Sequence, residues 1–266
     1  MKFEISDALL EKLIQIRRSL HAIPELAFEE YETTATLVQL LTEYNIQILT
    51  LPLKTGLVAE IGDVRKGPTI AIRADIDALP IQEETGLPFS SKNPNKMHAC
   101  GHDFHTVAIL GTAILLKEIE SELPGKVQII FQPAEEIGKG ALEIIKTNVL
   151  KDTKVIIGMH NKPDLTVGTI GIKSGPLMAA ADGFTVEING KSSHAAVPEA
   201  GLDSILTASH IVTSLQSIVS RNISPLENGR RLLKNLLYLS KFLHHHLLCK
   251  LVKTYVSSPC RIFLIM

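Results

Sequence analysis

The sequence predicts an α/β protein in which a mostly parallel sheet is flanked by helices and is followed by the start of an α+β unit. Short apolar runs, typical of buried strands, alternate with stretches whose apolar residues recur at helical spacing. Such alternation is typical of βαβ units and parallel sheets. At 266 residues, with 45% hydrophobic and 21% charged residues, the chain has the size and composition of a globular protein.

The predicted elements of the α/β part follow in a regular order. The first helix is predicted from Asp7, as its cap, to residue 21, because five apolar residues there recur at helical spacing. The remaining elements are helices at 29–44, 103–121 and 138–148 and strands at 56–62, 69–73, 127–131 and 155–159.

The pattern changes near residue 181. Residues 184–188 alternate as a half-exposed strand, and residues 202–219 predict an amphipathic helix. We therefore expect one domain over 1–180 and part of a second over 181–227.

The last 39 residues differ from the rest in charge. They carry seven of the 27 Lys and Arg residues and none of the 28 Asp and Glu residues, although the whole chain has a net charge of −1. We treat 228–266 as a separate, aberrant basic tail. An alternative is that residues 229–253 form a basic amphipathic element for an anionic membrane surface or a partner.

Composition narrows the cellular setting. The N-terminus lacks the basic and apolar pattern of a secretory signal, and no uncharged apolar run reaches the roughly 18 residues of a membrane span. Three cysteines do not suggest a disulfide framework. We expect a cytoplasmic protein that acts on a small molecule, with no nucleic-acid partner, no membrane association and reduced thiols.

The most informative segment is 97–105, Met-His-Ala-Cys-Gly-His-Asp-Phe-His. Cys100 and His102, hinged by a glycine, can turn toward one metal ion. The bland alternative is a buried cysteine beside a helix-capping histidine. That alternative would leave too many neighbouring polar groups without hydrogen-bond partners in a core, so we favour a metal site.

Further acidic and imidazole groups follow predicted strands. Asp75 ends one strand, Glu135 and Glu136 follow another, and His160 follows a third. Ligands of open α/β sheets gather at the carboxyl ends of strands. Adjacent Glu135 and Glu136 should point in different directions, so that one ligates a metal and the other is a general base. Taken singly, Asp75 could cap the turn after its strand, Glu135 and Glu136 could form a solvated acidic turn, and His160 would more often be a satisfied half-buried histidine.

Together these residues predict a hydrolase. Sulfur, nitrogen and oxygen donors suit zinc, manganese or cobalt better than magnesium or calcium. A metal-activated water with a carboxylate base describes amide or ester hydrolysis. The serine-hydrolase motif Gly-x-Ser-x-Gly and the zinc motif His-Glu-x-x-His are both missing. A thiol hydrolase that uses Cys100 as nucleophile is the main alternative.

Several motifs, in order, resemble the metal-dependent amidohydrolases related to aminoacylase and carboxypeptidase. The similar branch contains hippurate hydrolases, N-acyl-amino-acid amidohydrolases, N-acetyldiaminopimelate deacetylases and auxin-conjugate hydrolases. The motifs are Arg17-x-x-Leu-His-x-x-Pro-Glu-Leu26, Arg73-Ala-Asp-Ile-Asp-Ala-Leu-Pro80, Met97-His-Ala-Cys-Gly-His-Asp103, Gln132-Pro-Ala-Glu-Glu136 and Ser193-His-Ala-Ala196.

The resemblance implies a role for each matching residue. Cys100, His102, Glu136 and His160 would bind two divalent metal ions, Glu135 would be the general base, and Asp75 would orient the site. His194 would hold the substrate, an N-acyl amino acid. The implied fold is a zinc-exopeptidase-like catalytic domain with an inserted ferredoxin-like lid, which forms a homodimer in the family.

The resemblance stops near Glu227. Members of this family are longer, and the tail resembles neither the rest of the lid nor the returning catalytic half, so we expect a truncated or frame-shifted chain. On this interpretation the chain binds metal weakly, dimerises poorly and has little or no activity. A non-catalytic remnant with a membrane- or partner-binding tail is the alternative.

Overall fold

The computed structural model describes residues 4–172, 174–175, 186–222 and 263–265. The chain divides into one unit of Met1–Lys173 with Ile262–Met266 and a second of Ser174–Arg261. The first contains helices α1 (Asp7–His21), α2 (Tyr31–Glu43), α3 (His102–Glu118) and α4 (Gly140–Lys146), and strands β1 (Gln47–Ile48), β2 (Leu57–Gly62), β3 (Thr69–Asp75), β4 (Lys126–Gln132), β5 (Thr153–Met159) and β6 (Phe263–Ile265). The second contains α5 (Ser204–Asn222).

The strands form one mixed sheet in the order β1-β2-β4-β3-β5-β6. Strand β3 is parallel to both β4 and β5, and β5 is parallel to β6, whereas β1-β2 and β2-β4 are antiparallel. The predicted α/β class is confirmed. The antiparallel edge arises because the short connection between β2 and β3 cannot make the crossover of a dozen or more residues that parallel strands need.

Most predicted elements are present with small shifts at their ends, and two short strands were not predicted. Strand β1 has only two residues, and β6 lies within the segment that the sequence set apart as a tail. Residues 184 and 185 of the predicted strand 184–188 lie outside the described residues, as does most of 228–266, and the described residues 186–188 form no strand beyond a single bridge at Ile188. Among the described residues, none of the helices has the length and apolarity needed to cross a membrane.

The start of α1 differs from the prediction by one residue. Ser6, not Asp7, is the N-cap, and its hydroxyl accepts a hydrogen bond from the Leu9 amide at 3.2 Å. Serine in an extended conformation is well suited to this position. Asp7 is the first helical residue, where its charge favours the positive end of the helix.

Apolar clusters cover both faces of the sheet. Alternate β4 side chains point to opposite faces, so that Ile129 and Phe131 pack in the larger cluster and Ile130 packs in the smaller. The larger cluster includes residues of α1, α2 and α3, and the smaller includes Ile144 of α4. This two-sided packing fixes the three central strands and therefore the loops at their ends.

Candidate metal centre

The candidate site lies at the carboxyl ends of β3, β4 and β5. These three strands are adjacent and parallel, so the residues that follow them meet at one edge of the sheet. The N-terminus of α3 lies at the same edge, with Gly101 as N-cap at φ +80°. A Cβ atom at Gly101 would lie 2.8 Å from the Asn161 side-chain oxygen, so only glycine fits there without a shift.

His102 is the centre of the cluster. Three groups of potential ligands share it, and in each group the ligand atoms lie within 4.8 Å of one another: Cys100, His102 and His160; Asp75, His102 and His105; His102, Glu135 and Glu136. The His102 side chain is 1% exposed. The other three residues assigned to the metal by resemblance, Cys100, Glu136 and His160, therefore lie around the buried imidazole of His102.

Cys100 and His160 lie on one side of this imidazole. Hydrogen bonds with His102 and then His160 lower the pKa of the Cys100 thiol. The interaction with Cys100 likewise raises the pKa of His160. A thiol beside two imidazoles readily becomes the thiolate that metals bind.

Glu135 and Glu136 both approach His102, contrary to the expectation that they point in different directions. The distances from His102 Nε2 to Glu135 Oε2 and Glu136 Oε1 are 4.0 and 3.9 Å. They differ in exposure instead, since the side chain of Glu135 is 42% exposed and that of Glu136 is 18% exposed. Burial and then the Asp75 charge raise the pKa of Glu135. The more open carboxylate is the one suited to proton transfer.

Asp75 is a buried carboxylate that lies next to His102. It is 1% exposed and lies between His105 Nδ1 at 2.6 Å and Arg73 Nη1 at 2.8 Å, with His102 Nε2 at 3.7 Å. Burial opposes its ionisation, but the hydrogen bond from His105 and the Arg73 charge hold the pKa of Asp75 well below its usual value. Asp75 is therefore a fixed negative charge under the site.

The structure assigns supporting contacts to Asp77, His105 and Asn161. Asp77 is fully buried: its backbone oxygen lies 2.9 Å from His102 Nδ1, and its Oδ2 accepts the Glu136 amide at 3.0 Å. His105 Nε2 lies 2.9 Å from the backbone nitrogen and 2.6 Å from the side-chain oxygen of Asn161, and His105 Nδ1 lies 2.6 Å from Asp75 Oδ1. Asp77 lies within a family motif and His105 within the segment 97–105, but neither spacing nor composition separates such supporting residues from ligands.

His194, the predicted substrate-binding residue, belongs to the second unit. It is exposed, and its Nδ1 accepts the Ala196 amide at 3.1 Å. Its role in binding substrate stays a prediction.

The residues present fit a metal ion. His102 Nε2 and Glu136 Oε1 are buried side-chain atoms without a nitrogen or oxygen hydrogen-bond partner in the described part of the chain. Burial opposes protonation of His102, but hydrogen bonds with Asp77 and Cys100 outweigh it and raise the pKa of this imidazole to about 11. The surroundings thus favour positive charge, which a cation supplies as well as a proton does.

A second buried ionic cluster lies beside the site. His21 of α1 bridges two carboxylates, with Nδ1 2.9 Å from Asp103 Oδ2 and Nε2 3.2 Å from Glu83 Oε1. The guanidinium of Arg17 reaches the same Asp103 oxygen at 2.6 Å, and the buried ring of His98 lies with its centroid 6.3 Å from that of His21. The cluster ties α1, α3 and the loop that contains Glu83 together.

His21 in this cluster is predicted to contribute a stability that falls as pH rises. The hydrogen bond to Asp103 raises the pKa of His21 despite burial. Because the pKa of His21 is higher in the folded than in the unfolded chain, its stabilisation is complete below the unfolded-state pKa of about 6.5. The stabilisation is lost as pH rises through the folded-state pKa. We expect His21→Gln to lower the free energy of unfolding by about 3 kcal/mol at the acidic end of the range and by less at the alkaline end.

Urea unfolding from about pH 6 to about pH 9 measures this difference. His210→Gln, which changes an exposed histidine of α5, is the control and should leave the curve unchanged. Parallel pH curves for His21→Gln and the wild-type chain would contradict the prediction.

Comparison with known proteins decides the family. Residues 71–231, more than half of the chain, match the model of peptidase family M20/M25/M40. The chain belongs to this family. The resemblance drawn from the motifs is thereby confirmed.

Relatives in this family are named for deacylation. The chain is 56% identical over 221 residues to an N-acetyl-L-cysteine deacetylase of Bacillus subtilis. The aligned residues cover 83% of this chain and 53% of the relative. It is 43% identical over 222 residues to an N-acyl-L-amino acid amidohydrolase of Geobacillus stearothermophilus, and the aligned residues cover 83% of this chain and 60% of that relative. The chain thus spans little more than half the length of these relatives.

The fold is shared with solved structures. A Bacillus subtilis protein described as a dinuclear metal-binding peptidase of the M20 family superposes with a TM-score of 0.71 at 46% identity, covering 94% of this chain and 65% of that one. A Staphylococcus aureus protein described as a putative aminohydrolase superposes with a TM-score of 0.72 at 36% identity, and the match covers 93% of this chain and 67% of that one.

Proposed function

We propose that this site serves metal-dependent hydrolysis of the amide bond of N-acyl amino acids. The observation that carries the proposal is the convergence of Cys100, His102, Glu136 and His160, which come from four points in 61 residues of sequence, beside the more exposed carboxylate of Glu135. The names of the deacetylase and amidohydrolase relatives support this substrate class.

Cys100, His102, Glu136 and His160 would hold the metal. The presence of sulfur, nitrogen and oxygen donors favours zinc, manganese or cobalt. A pair of ions is supported by the dinuclear description of the solved relative. A divalent metal there would supply Lewis-acid polarisation of the substrate carbonyl and activation of water.

Glu135 would move the proton. Its Oε2 takes a proton from the attacking water and then donates it to the amine nitrogen as the amide bond breaks. The raised pKa of Glu135 suits a group that must both accept and release a proton. Asp75, held by Arg73 and His105, keeps negative charge under His102, and Asp77 fixes the Glu136 backbone.

Cobalt binding tests the metal proposal. We expect the chelator-stripped chain to gain a thiolate-to-cobalt absorption in the near ultraviolet with excess Co²⁺, because Cys100 would be a ligand. Cys100→Ser should abolish this band, whereas Cys249→Ser is the matched control and should keep it. A band that survives Cys100→Ser would contradict the assignment.

Hydrolysis separates this function from a thiol hydrolase. The second reading has support, since Cys100 interacts with two imidazoles that could act as bases. Release of free amino acid from a panel of N-acyl amino acids should disappear on chelation and return with metal. Release that survives chelation but is lost in Cys100→Ser would favour the thiol nucleophile.

A further inference from the structure

One buried carboxylate far from the ligands in sequence contacts the turn that carries them. Glu30, at the start of α2, is 0% exposed, and its Oε1 accepts the Ala134 amide at 2.8 Å. Its Oε2 accepts the Thr55 hydroxyl at 2.5 Å. Ala134 directly precedes Glu135 and Glu136, so Glu30 connects α2 to the acidic pair across 104 residues of sequence.

The conformation of this turn needs support. Ala134 has φ +50°, a left-handed conformation that costs a non-glycine residue free energy. The Ala134 carbonyl accepts the amides of Lys139 and Gly140 at 3.2 and 3.1 Å, which closes the turn on its far side. The Ala134 amide is buried, and Glu30 is the acceptor that satisfies it.

The contact belongs to a wider buried network. The Thr34 hydroxyl donates to the Glu30 carbonyl at 2.5 Å and accepts the Gly56 amide at 2.9 Å. At Gly56, a Cβ atom would lie 2.5 Å from the Phe131 carbonyl oxygen and 2.6 Å from Pro133 Cδ. The start of α2 is therefore joined both to the segment before β2 and to the turn after β4.

We propose that Glu30 is a positioning residue that fixes the turn of Glu135 and Glu136. Its effect on metal binding rests on the proposed function, but its effect on the turn does not. The described side-chain hydrogen bonds of Glu30 go to Thr55 and Ala134 and not to the candidate ligands. It acts through the Ala134 backbone, which sets where the next two side chains begin.

Three variants separate positioning from general stability. Glu30→Ala removes both hydrogen bonds, and Glu30→Gln keeps an oxygen that can accept the Ala134 amide. Glu25→Ala is the matched control, because Glu25 is another buried carboxylate near the start of α2 and accepts the amides of Glu32 and Thr33 at 3.0 and 2.8 Å. The side-chain hydrogen bonds of Glu25 do not involve the turn.

Hydrogen exchange of the metal-free chain is the first readout. In Glu30→Ala, we expect the amides of 133–140 to exchange roughly tenfold faster than in the wild-type chain. In Glu25→Ala, faster exchange should be confined to the first turn of α2. Unchanged exchange at 133–140 in Glu30→Ala would overturn the proposal.

Cobalt affinity, followed by the Cys100 band, is the second readout. Residues that support ligands typically change metal affinity by roughly ten- to a hundredfold, and we expect such a loss in Glu30→Ala. Glu30→Gln should restore affinity, and Glu25→Ala should keep it. Equal losses in Glu30→Ala and Glu25→Ala would overturn the proposal by showing a general effect on stability.

The two proposals fail in different ways. A wild-type chain without the cobalt band contradicts the proposed function, and exchange at 133–140 still decides the role of Glu30. If Glu30→Ala does not fold, Thr55→Val removes only the donor to Oε2. It should then give a smaller increase in exchange at the same residues, and no increase would overturn the proposal.

Discussion

Glu135→Gln should lower the turnover of an N-acyl amino acid by a factor of roughly 10² to 10⁴, the usual contribution of a general base. Glutamine has nearly the same shape but cannot take the proton from water. Cobalt affinity should stay unchanged, because the proposed ligand is the neighbouring Glu136. Single-turnover release of the amino acid, with the metal-loaded chain in excess over substrate so that a weak wild-type activity is still measured, gives the effect.

Glu136→Gln is the matched control. The two carboxylates lie at nearly the same distance from His102 Nε2, 4.0 and 3.9 Å, but Glu136 is the more buried. Its variant should lose metal affinity first, and excess metal should restore part of the turnover. If Glu135→Gln weakens metal binding as much as Glu136→Gln does, the two roles are assigned wrongly.

Gly140→Ala should destabilise the chain by about 3 kcal/mol, near the upper end for overpacked sites. Alanine in a helix is normally more favourable than glycine by about 1 kcal/mol. Here the added Cβ would lie 1.5 Å from the Pro133 carbonyl oxygen, so backbone must move. Since Pro133 begins the turn of the acidic pair, cobalt affinity should fall together with stability. Urea unfolding and the cobalt titration measure the two effects.

Gly138→Ala is the control within the same turn. Gly138 has φ +67°, but a Cβ there would meet nothing within 4 Å. Its substitution should therefore cost only the left-handed backbone strain, about 1 kcal/mol. Equal destabilisation in the two variants would show that strain, and not close approach, makes Gly140 necessary.

The sequence was sufficient to predict the class of fold and the groups of the candidate site. Regular alternation of apolar runs indicated β3, β4 and β5, and the polar residues after them indicated the edge where ligands gather. These features depend on local periodicity and on residue types, which can be read along a chain.

Other features depended on contacts between distant segments. Strand β2 was expected, but its antiparallel pairing with β4 followed from the short connection between β2 and β3 and from packing. Glu135 and Glu136 were expected to diverge, whereas the turn held by Glu30 and Asp77 brings both toward His102.

The sequence by itself determined the α/β class, the family motifs and the donor types gathered around His102. Only the tertiary structure decided which groups support those donors: Asp77, His105, Asn161 and Glu30. The physical reason is that a ligand is recognisable by its chemistry, whereas a supporting residue is defined by the partner that it meets. That partner is 104 residues away for Glu30, a separation that no local pattern encodes.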